Sequence, residues 1–230
     1  MFIKNLSKNI IDFPKPEKAL KDPNGLLASG GDLSPERLLV AYQNGIFPWF
    51  NEGEPILWWS PDPRAVLLKC HVSRSMKRFI RPGRCPYHFS LNCAFSDVIT
   101  ACATKRSGCT WISSDIVKAY CQLHRLGRAH SVEVWLKDKL VGGLYGISVG
   151  AMFCGESMFS IADNASKSAL IIFEHYFTQK GGKWIDCQVL NAHTASLGAE
   201  QIPRNDFLSL LDQAQRVSLP KGVWSPQSLG

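Results

Sequence analysis

Apolar residues follow a strand period in some segments of this chain and a helical period in others, and the two alternate in a mixed order. The strand period predicts strands at residues 64–68, 87–91, 130–136, 140–149 and 183–187. The helical period, with start and stop signals, predicts helices at residues 35–44, 73–84, 94–103, 115–126, 164–179, 192–197 and 206–216. The expected capping residues are Ser34, Ser73, Ser114, Asn164 and Asn205. Residues 219–230 carry neither period, and we expect an irregular tail.

The first part of the chain differs from the rest. Residues 1–62 are rich in Pro, Gly and aromatic side chains, and Pro61 and Pro63 mark a boundary. We expect a small aromatic-rich N-terminal domain at 1–62 and a larger domain at 63–230. In the larger domain a strand meander precedes a strand–helix–strand unit, an order that resembles the GNAT acetyltransferase fold. The sequence therefore predicts an α+β (mixed α/β) protein with a GNAT-like C-terminal domain.

Composition indicates an ordinary globular protein with a basic surface. The 230 residues are 45% hydrophobic and 20% charged, with a net charge of +7 and a pI near 9.0. A basic balance favours a polyanionic partner, with an anionic membrane surface as the second choice. No apolar run approaches the roughly 20 residues of a membrane helix, so we expect no membrane insertion.

The 8 cysteines are scattered, and no two of them have the two-residue spacing of a zinc knuckle. The chain starts with a mixed, polar segment and not with a secretory signal. Scattered thiols without a signal peptide fit a reducing cytosol. We expect a cytoplasmic protein without a metal site, and we expect it to be a monomer.

A run of cations without any acidic neighbour lies within residues 73–84. Its basic residues are Arg74, Lys77, Arg78, Arg81 and Arg84. The first four have the spacing of one helix face. Most charge runs are solvated surface, but this many uncompensated positive charges favour phosphate binding.

Polar side chains stand where buried strands should end. Asp186 and Gln188 are two residues apart, so they should share one face of their strand. Asn191 follows them, and Glu156 lies inside an earlier apolar run. Burying such groups without partners costs several kcal/mol. They therefore either satisfy one another or await a substrate, and strand ends are where open α/β sheets place their sites.

Several separated motifs match one family. They are Pro23-Asn-Gly-Leu-Leu-Ala28, Gly30-Gly-Asp-Leu-Ser-Pro35, Gly45-Ile-Phe-Pro-Trp49, Trp58-Trp-Ser-Pro-Asp-Pro-Arg64, Phe153-Cys-Gly-Glu-Ser-Met-Phe159, Asp186-Cys-Gln-Val-Leu-Asn191 and His193-Thr-Ala-Ser-Leu-Gly-Ala199. With these motifs the chain resembles the leucyl/phenylalanyl-tRNA–protein transferases over nearly its whole length. Leu144 stands where that family usually has Met, a departure that bears on donor preference and not on the reaction.

The resemblance implies an aminoacyltransferase that needs no cofactor. It would move Leu or Phe, and Met less well, from aminoacyl-tRNA to the N-terminal Arg or Lys of a protein or peptide. The product would be a bacterial degradation signal. An ester donor is already activated, and the chain carries no phosphate-binding loop for ATP.

The resemblance also assigns roles to the polar cluster. Asp186 would be the catalytic base or the carboxylate that orients the amine, and Gln188 its relay or a donor to the carbonyl. The alternative for Asp186 is a strand-end carboxylate bonded to backbone amides. Glu156 would bind the acceptor's cationic side chain or ammonium, or else form a buried ion pair. Asn191 would hold the acceptor backbone, or else cap the helix that follows.

The donor side chain needs an apolar socket, and the tRNA end needs aromatic platforms. For the socket we choose Leu144, Phe153, Met158, Leu170, Phe173 and Ile185. For stacking on the terminal adenosine we choose Tyr42, Trp49, Trp111 and Tyr120, with Trp111 in a predicted loop at 108–112. Without the resemblance, each of these residues would be interpreted as core.

Two other functions stay open on the residues alone. A non-catalytic RNA-binding module would explain the basic helix and the aromatic rings, but not the polar cluster. A CoA-dependent acetyltransferase would fit the fold, yet the helix start Asn164-Ala-Ser-Lys-Ser-Ala169 has no glycine to cradle a pyrophosphate.

Overall fold

The computed structural model describes residues 3–104 and 110–229, which form two β-sheets with helices packed against them. Gly108 and Cys109, the first two residues of the loop predicted at 108–112, lie outside these ranges. In the described part of the chain the α-helices are α1 (Pro35–Gln43), α2 (Arg74–Phe79), α3 (Phe95–Thr104), α4 (Ser114–Arg125), α5 (Ala165–Gln179), α6 (Ala192–Ser196) and α7 (Arg204–Gln215).

The small sheet comes from the N-terminal part. Its strands, in spatial order, are β1 (Lys4–Leu6), β2 (Leu26–Gly30), β4 (Leu57–Trp59) and β3 (Phe47–Pro48). Trp58 is fully buried, and its indole N–H donates to the carbonyl of Gly30 at 2.9 Å. The ring of Phe13 packs edge-on against Trp58, so aromatic packing stabilises this short-stranded module.

The large sheet holds the remaining strands of the described chain. In spatial order they are β11 (Glu200–Ile202), β5 (Arg64–Leu67), β10 (Trp184–Gln188), β9 (Met152–Ser160), β8 (Lys139–Val149), β7 (Ala129–Leu136), β6 (His88–Leu91) and β12 (Gln227–Leu229). Neighbours are antiparallel except β9 and β10, which are parallel. A mixed sheet covered by helices confirms the predicted mixed α/β class.

The parallel pair at the centre of the large sheet is short and then splays apart. Trp184 lies opposite Met152 and Asp186 opposite Cys154, and beyond this point β9 continues beside β8 alone. The GNAT-like arrangement of the C-terminal domain stays a prediction. The opening between the two strands leaves room for a cavity inside the fold.

Apolar side chains cover both faces of the large sheet. One cluster joins α1, α3, α4, α7 and the small sheet to one face, and it includes Tyr145 and Ile147 of β8. The other packs α5 on the opposite face, around Phe153 and Phe173. The core of the small sheet therefore continues into the core of the large one. The domain boundary near residue 62 stays a prediction.

Several helix ends confirm the sequence signals, and others correct them. Ser34 and Ser73 cap α1 and α2 by accepting from the backbone N–H three residues later, as predicted. The cap of α4 is Ser113 and not Ser114. Helix α7 begins at Arg204, so Asn205 lies within its first turn and does not cap it.

Three further expectations were wrong. The basic helix ends at Phe79, before Pro82 and Gly83, so Arg81 lies beyond the helix and does not share its face. Asn164 precedes α5 in a left-handed conformation with a φ of 60°, and its side chain makes no capping bond. The tail expected to be irregular forms β12, because residues 227–229 pair with the edge strand β6.

Candidate active site

A cavity of about 820 Å³ opens where β9 and β10 diverge. The apolar residues in its lining include Phe47, Trp49, Trp111, Leu144, Phe153, Met158, Phe159, Leu170, Ile185 and Val189. The polar residues in its lining include Asn51, Glu156, Ser157, Gln188, Asn191, His193 and Thr194. Such a cavity can hold an apolar group next to a charged or hydrogen-bonding one.

A bulge after Asp186 decides which side chains enter the cavity. In the pairing with β5, Asp186 lies opposite Val66 and Gln188 opposite Ala65, so Cys187 is an extra residue. Gln188 has a left-handed φ of 59°, which non-glycine residues seldom adopt. The prediction that Asp186 and Gln188 share a face is therefore wrong. Asp186 is fully buried behind the cavity wall, whereas Gln188 lines the cavity.

Gln188 begins a chain of hydrogen bonds that runs from the cavity into the core. Its side-chain Nε2 donates to Oε1 of Glu156 at 2.7 Å. The hydroxyl of Tyr120 donates to Oε2 of Glu156 at 3.1 Å, and the hydroxyl of Tyr42 lies 2.5 Å from that of Tyr120. Both Glu156 oxygens thus accept from neutral donors. Within residues 3–104 and 110–229 no cation lies in ion-pair distance of Glu156, so its buried ion-pair alternative is not seen.

The pKa of the Glu156 carboxyl lies near neutral pH. Burial raises the pKa of Glu156 from its ordinary value of 4.5 to about 7, and the negative charge of Asp186 adds to the rise. The hydrogen bonds from Tyr120 and Gln188 oppose it, since they stabilise the ionised form. Near pH 7 the group is therefore shared between its protonated and ionised forms, and a cation in the cavity would favour ionisation.

Asp186 is held by an arginine that the sequence analysis did not single out. Nε and Nη2 of Arg64 donate to the two carboxylate oxygens at 2.8 and 2.7 Å, and both side chains are buried. The backbone N–H of Gln188 donates to Oδ1 of Asp186 at 2.9 Å. Burial alone would lower the pKa of Arg64, but the Asp186 carboxylate raises it. Because both oxygens are occupied and lie outside the cavity, this geometry argues against Asp186 as the base that deprotonates a bound amine.

The apolar socket contains all but one of the residues chosen for it. Leu144, Phe153, Met158, Leu170 and Ile185 line the cavity, and Phe173 does not. Phe173 is fully buried on α5, with its ring 4.5 Å from the Phe153 ring and 5.4 Å from the Phe177 ring, centroid to centroid. Its assignment to the socket was wrong, because α5 directs this position to the core behind the wall.

The four aromatic residues expected to stack on adenosine divide into two pairs. Tyr42 is 1% exposed and Tyr120 is 0% exposed, so neither ring can offer a face to a base, and their assignment was wrong. Their hydroxyls belong instead to the chain of hydrogen bonds that includes Glu156. Trp49 is 48% exposed and Trp111 is half-buried, and both line the cavity. Stacking of these two rings on the terminal adenosine stays a proposal.

Asn191 caps α6 and also reaches the cavity. Its Oδ1 accepts from the backbone N–H of Thr194 at 2.9 Å, and the Thr194 hydroxyl accepts from the backbone N–H of Asn191 at 3.2 Å. This reciprocal arrangement is the capping box that was the alternative for this residue. Contact with an acceptor through the side-chain amide stays a proposal.

The sequence analysis assigned no role to two further polar groups in the cavity. Nε2 of His193 and Oγ of Ser157 are buried, and neither has a hydrogen-bond partner in the part of the chain that the structure describes. Burial lowers the pKa of His193, with a smaller effect from Lys167, so the ring is neutral near pH 7. His193 begins the family motif His193–Ala199 and Ser157 lies within the motif Phe153–Phe159, and these motifs were the signals that could have indicated them.

The basic segment forms an exposed surface. Arg74, Lys77, Arg78, Arg81 and Arg84 are all exposed. Within the described ranges none of them pairs with a carboxylate. Their charges are therefore open to an external anion, as the sequence predicted, although Arg81 and Arg84 follow α2 and do not belong to it.

Neither a metal cluster nor a spanning helix is found in the described residues. No group of three or more His, Cys, Asp or Glu side chains in these ranges could hold a metal ion. Among the same residues, no helix has the length and apolarity needed to cross a membrane.

Comparison with known proteins gives one consistent match. Residues 66–212 match the model of the leucyl/phenylalanyl-tRNA protein transferase family, and residues 31–62 match the model of its N-terminal domain. A protein of Hamiltonella defensa subsp. Acyrthosiphon pisum (strain 5AT) is 99% identical over the full length of both chains. Proteins of Yersinia pestis (strain Pestoides F) and Yersinia pseudotuberculosis serotype O:1b (strain IP 31758) are 67% identical, over 100% of this chain and 97% of theirs. All three carry the name leucyl/phenylalanyl-tRNA–protein transferase.

Proposed function

We infer that this chain, which belongs to the leucyl/phenylalanyl-tRNA protein transferase family, is an aminoacyltransferase that moves Leu or Phe from aminoacyl-tRNA to the N-terminus of proteins. The observation that carries this inference is the mixed lining of the cavity. One cavity is lined by apolar side chains, by the carboxylate–amide pair Glu156 and Gln188, and by the indole rings of Trp49 and Trp111. An aminoacyl ester and an amine nucleophile need just these surroundings to meet.

The donor is proposed to enter with its side chain in the socket. Leu144, Phe153 and Met158 offer only apolar atoms, so a Leu, Phe or Met side chain fits without leaving a polar atom unpaired. The terminal adenosine is proposed to stack on Trp49 and Trp111, because both rings line the same cavity. The phosphates of the tRNA are proposed to contact the exposed basic segment at residues 74–84.

The acceptor is proposed to be a protein or peptide with an N-terminal Arg or Lys. Glu156 supports this choice, because it is a carboxyl with neutral hydrogen-bond partners and a pKa raised to about 7 by burial. Binding a guanidinium or an ammonium beside it would stabilise the ionised form. Asn191 at the cavity edge is proposed to hold the acceptor backbone through its amide.

The reaction is an attack of the acceptor α-amine on the ester carbonyl carbon. A C–N bond forms, the bond between that carbon and the 3′-terminal ribose oxygen breaks, and the proton lost by the amine ends on the released ribose hydroxyl. Alignment of amine and ester is the main contribution required of the protein. Gln188 is proposed to hydrogen-bond the attacking amine or the carbonyl oxygen, and Asp186 is proposed to fix Gln188 through the bond from its backbone N–H.

The reaction is proposed to take place in the cytoplasm, where charged tRNA is available, and its product to serve as an N-terminal degradation signal. That the protein acts as a monomer stays a prediction. The test of the function is to mix the protein with Leu-tRNA or Phe-tRNA and an Arg-initiated peptide. A gain of one Leu or Phe residue in the peptide mass supports the proposal. No gain, together with tRNA binding, would favour an RNA-binding module, and acetylation on addition of acetyl-CoA would favour an acetyltransferase.

A further inference from the structure

Arg64 is a fully buried charge at the centre of the fold, and it takes no direct part in the proposed reaction. Its guanidinium carbon lies 4.8 Å from the centroid of the Phe47 ring and 4.4 Å from that of Phe207. Its Nη1 donates to the carbonyl of Gly45 at 3.2 Å, and its other two nitrogens bind the Asp186 carboxylate. The guanidinium is therefore fixed by contacts with separate segments of the chain.

We propose that Arg64 is a positioning residue for aminoacyl transfer, which acts through Asp186 to hold Gln188 against Glu156 in the cavity. This inference rests on the function proposed above and adds a residue to it. Arg64 itself lies outside the cavity lining, so it touches no substrate.

The reason lies in the conformation of Gln188. A left-handed φ is unfavourable for a residue with a side chain, and it persists only where the surroundings impose it. Here the imposed contact is the bond from the Gln188 backbone N–H to Oδ1 of Asp186 at 2.9 Å. The same Oδ1 accepts from Nε of Arg64, so the position of this oxygen is set by the arginine. Moving the carboxylate would release the bulge and shift the Gln188 amide away from Glu156.

Arg64 also connects the cavity wall to the aromatic side of the cavity. Gly45, which accepts from Nη1, and Phe47, which lies over the guanidinium, shortly precede Trp49 in sequence. One planar cation thus fixes both Gln188 and the segment that carries a proposed adenosine platform. A lysine would keep the charge but lose the two-pronged geometry, because an ammonium cannot match both carboxylate oxygens and the carbonyl in one plane.

The test compares two buried arginines. Arg37 is also 0% exposed, and it bonds to Asp32 and to the carbonyls of Ser7 and Lys8, far in sequence from the cavity residues. R64K and R37K should both lower the melting temperature. For R64K we expect kcat for transfer to an Arg-initiated peptide to fall roughly 10- to 100-fold, as for a small misplacement of a reacting group. Its KM for the peptide should stay close to the wild-type value, and R37K should keep wild-type kcat below its melting temperature.

A double variant, R64M with D186L, separates positioning from stability. It removes both charges, so it should melt higher than R64M alone, yet kcat should stay as low as in R64K because Gln188 has lost its anchor. Recovery of kcat together with melting temperature would overturn the proposal, as would equal kcat in R64K and R37K. If R64K melts below the assay temperature, the kcat of the double variant alone tests the proposal. A wild-type protein that transfers nothing would instead contradict the proposed function.

Discussion

Gln188 donates its side-chain amide to Oε1 of Glu156 at 2.7 Å, across the opening between two strands that are hydrogen-bonded only a few residues earlier. The two residues lie 32 positions apart in sequence, and the splay of β9 from β10 makes room for a substrate beside their contact. Their arrangement links a group that can bind a cation to a group that can orient an amine or a carbonyl. Substitutions at this pair and in the residues around it should therefore change acceptor use, donor selection and tRNA affinity separately.

Replacing Glu156 by Gln should change the dependence of stability on pH. The folded pKa of Glu156 is raised by burial to about 7 from an ordinary 4.5. The folded state therefore binds this proton more tightly than the unfolded state, and the resulting stability is present below pH 4.5 and is lost as the pH rises through about 7. The melting temperature of the wild type minus that of E156Q should fall across this window. A constant difference would show that Glu156 does not titrate as described.

The same substitution should impair acceptor use and spare the donor. E156Q removes the charge that is proposed to bind the N-terminal Arg or Lys, while it keeps a similar shape in the cavity. We expect the KM for an Arg-initiated peptide to rise and the Kd for aminoacyl-tRNA to stay unchanged. Tyr120→Phe is the matched variant, because it removes one donor to Glu156 and keeps the carboxyl group itself. Wild-type peptide kinetics in E156Q would reject the assignment.

Trp49 and Tyr42 should behave oppositely towards tRNA. Trp49 is 48% exposed and lines the cavity, whereas Tyr42 is 1% exposed and bonded to Tyr120. Trp49→Ala should weaken aminoacyl-tRNA binding by about 1–3 kcal/mol, the usual contribution of one stacked base. Tyr42→Phe should leave that affinity unchanged. Equal decreases of affinity in both variants, measured as Kd by filter binding, would contradict the division of the aromatic residues.

Met158 and Phe173 should separate donor selection from stability. Phe173→Ala leaves a hole behind the cavity wall and should cost about 3–5 kcal/mol of unfolding free energy, with the ranking of Leu, Phe, Ile and Val donors unchanged. Met158 is only half-buried and lines the cavity, so Met158→Ala should cost less stability and should relax the ranking. Donor competition and thermal melting on the same samples decide between these outcomes. An altered donor ranking in Phe173→Ala would show that Phe173 contributes to the donor socket.

The basic segment should set the salt dependence of tRNA binding. Neutralising Arg74 and Arg78 together should reduce the slope of log K against log salt by roughly 0.7–0.9 for each phosphate that the protein no longer neutralises. The control neutralises Arg125 and Arg128, which are also exposed but lie at the end of α4 and in the loop that follows. A slope that changes equally in both double variants would mean that the effect comes from net charge alone.

The local signals of the sequence predicted most elements of the fold, because periodicity and capping act over a few residues. The hairpin of β7 and β8 and the caps Ser34 and Ser73 are examples. The strand β12 escaped because its three residues have no period of their own and form a strand only by pairing with β6. Helix α7 begins earlier than its Asn205 signal indicated, with Pro203 at the N-cap position.

The site was predictable in its residue types and not in its geometry. Glu156, Gln188 and Asn191 were singled out as polar residues in or after buried strands, and they all reach the cavity. The partnership of Arg64 with Asp186 spans 122 positions, and no local pattern carries such a pairing. The bulge at Cys187 likewise depends on the neighbouring strand, so the alternation rule placed Asp186 on the wrong side.

The most direct test of the proposed chemistry determines which peptide nitrogen forms the new bond to Leu. The protein is incubated with Leu-tRNA and two peptides that differ only in Nα-acetylation of their initial Arg, and the products are sequenced by tandem mass spectrometry. We expect one Leu joined to the α-amine of the free peptide, none on the acetylated peptide, and a large decrease of product in the Gln188→Ala variant. Leu on an internal lysine, product from the acetylated peptide, or a Gln188→Ala variant as active as the wild type would contradict this chemistry.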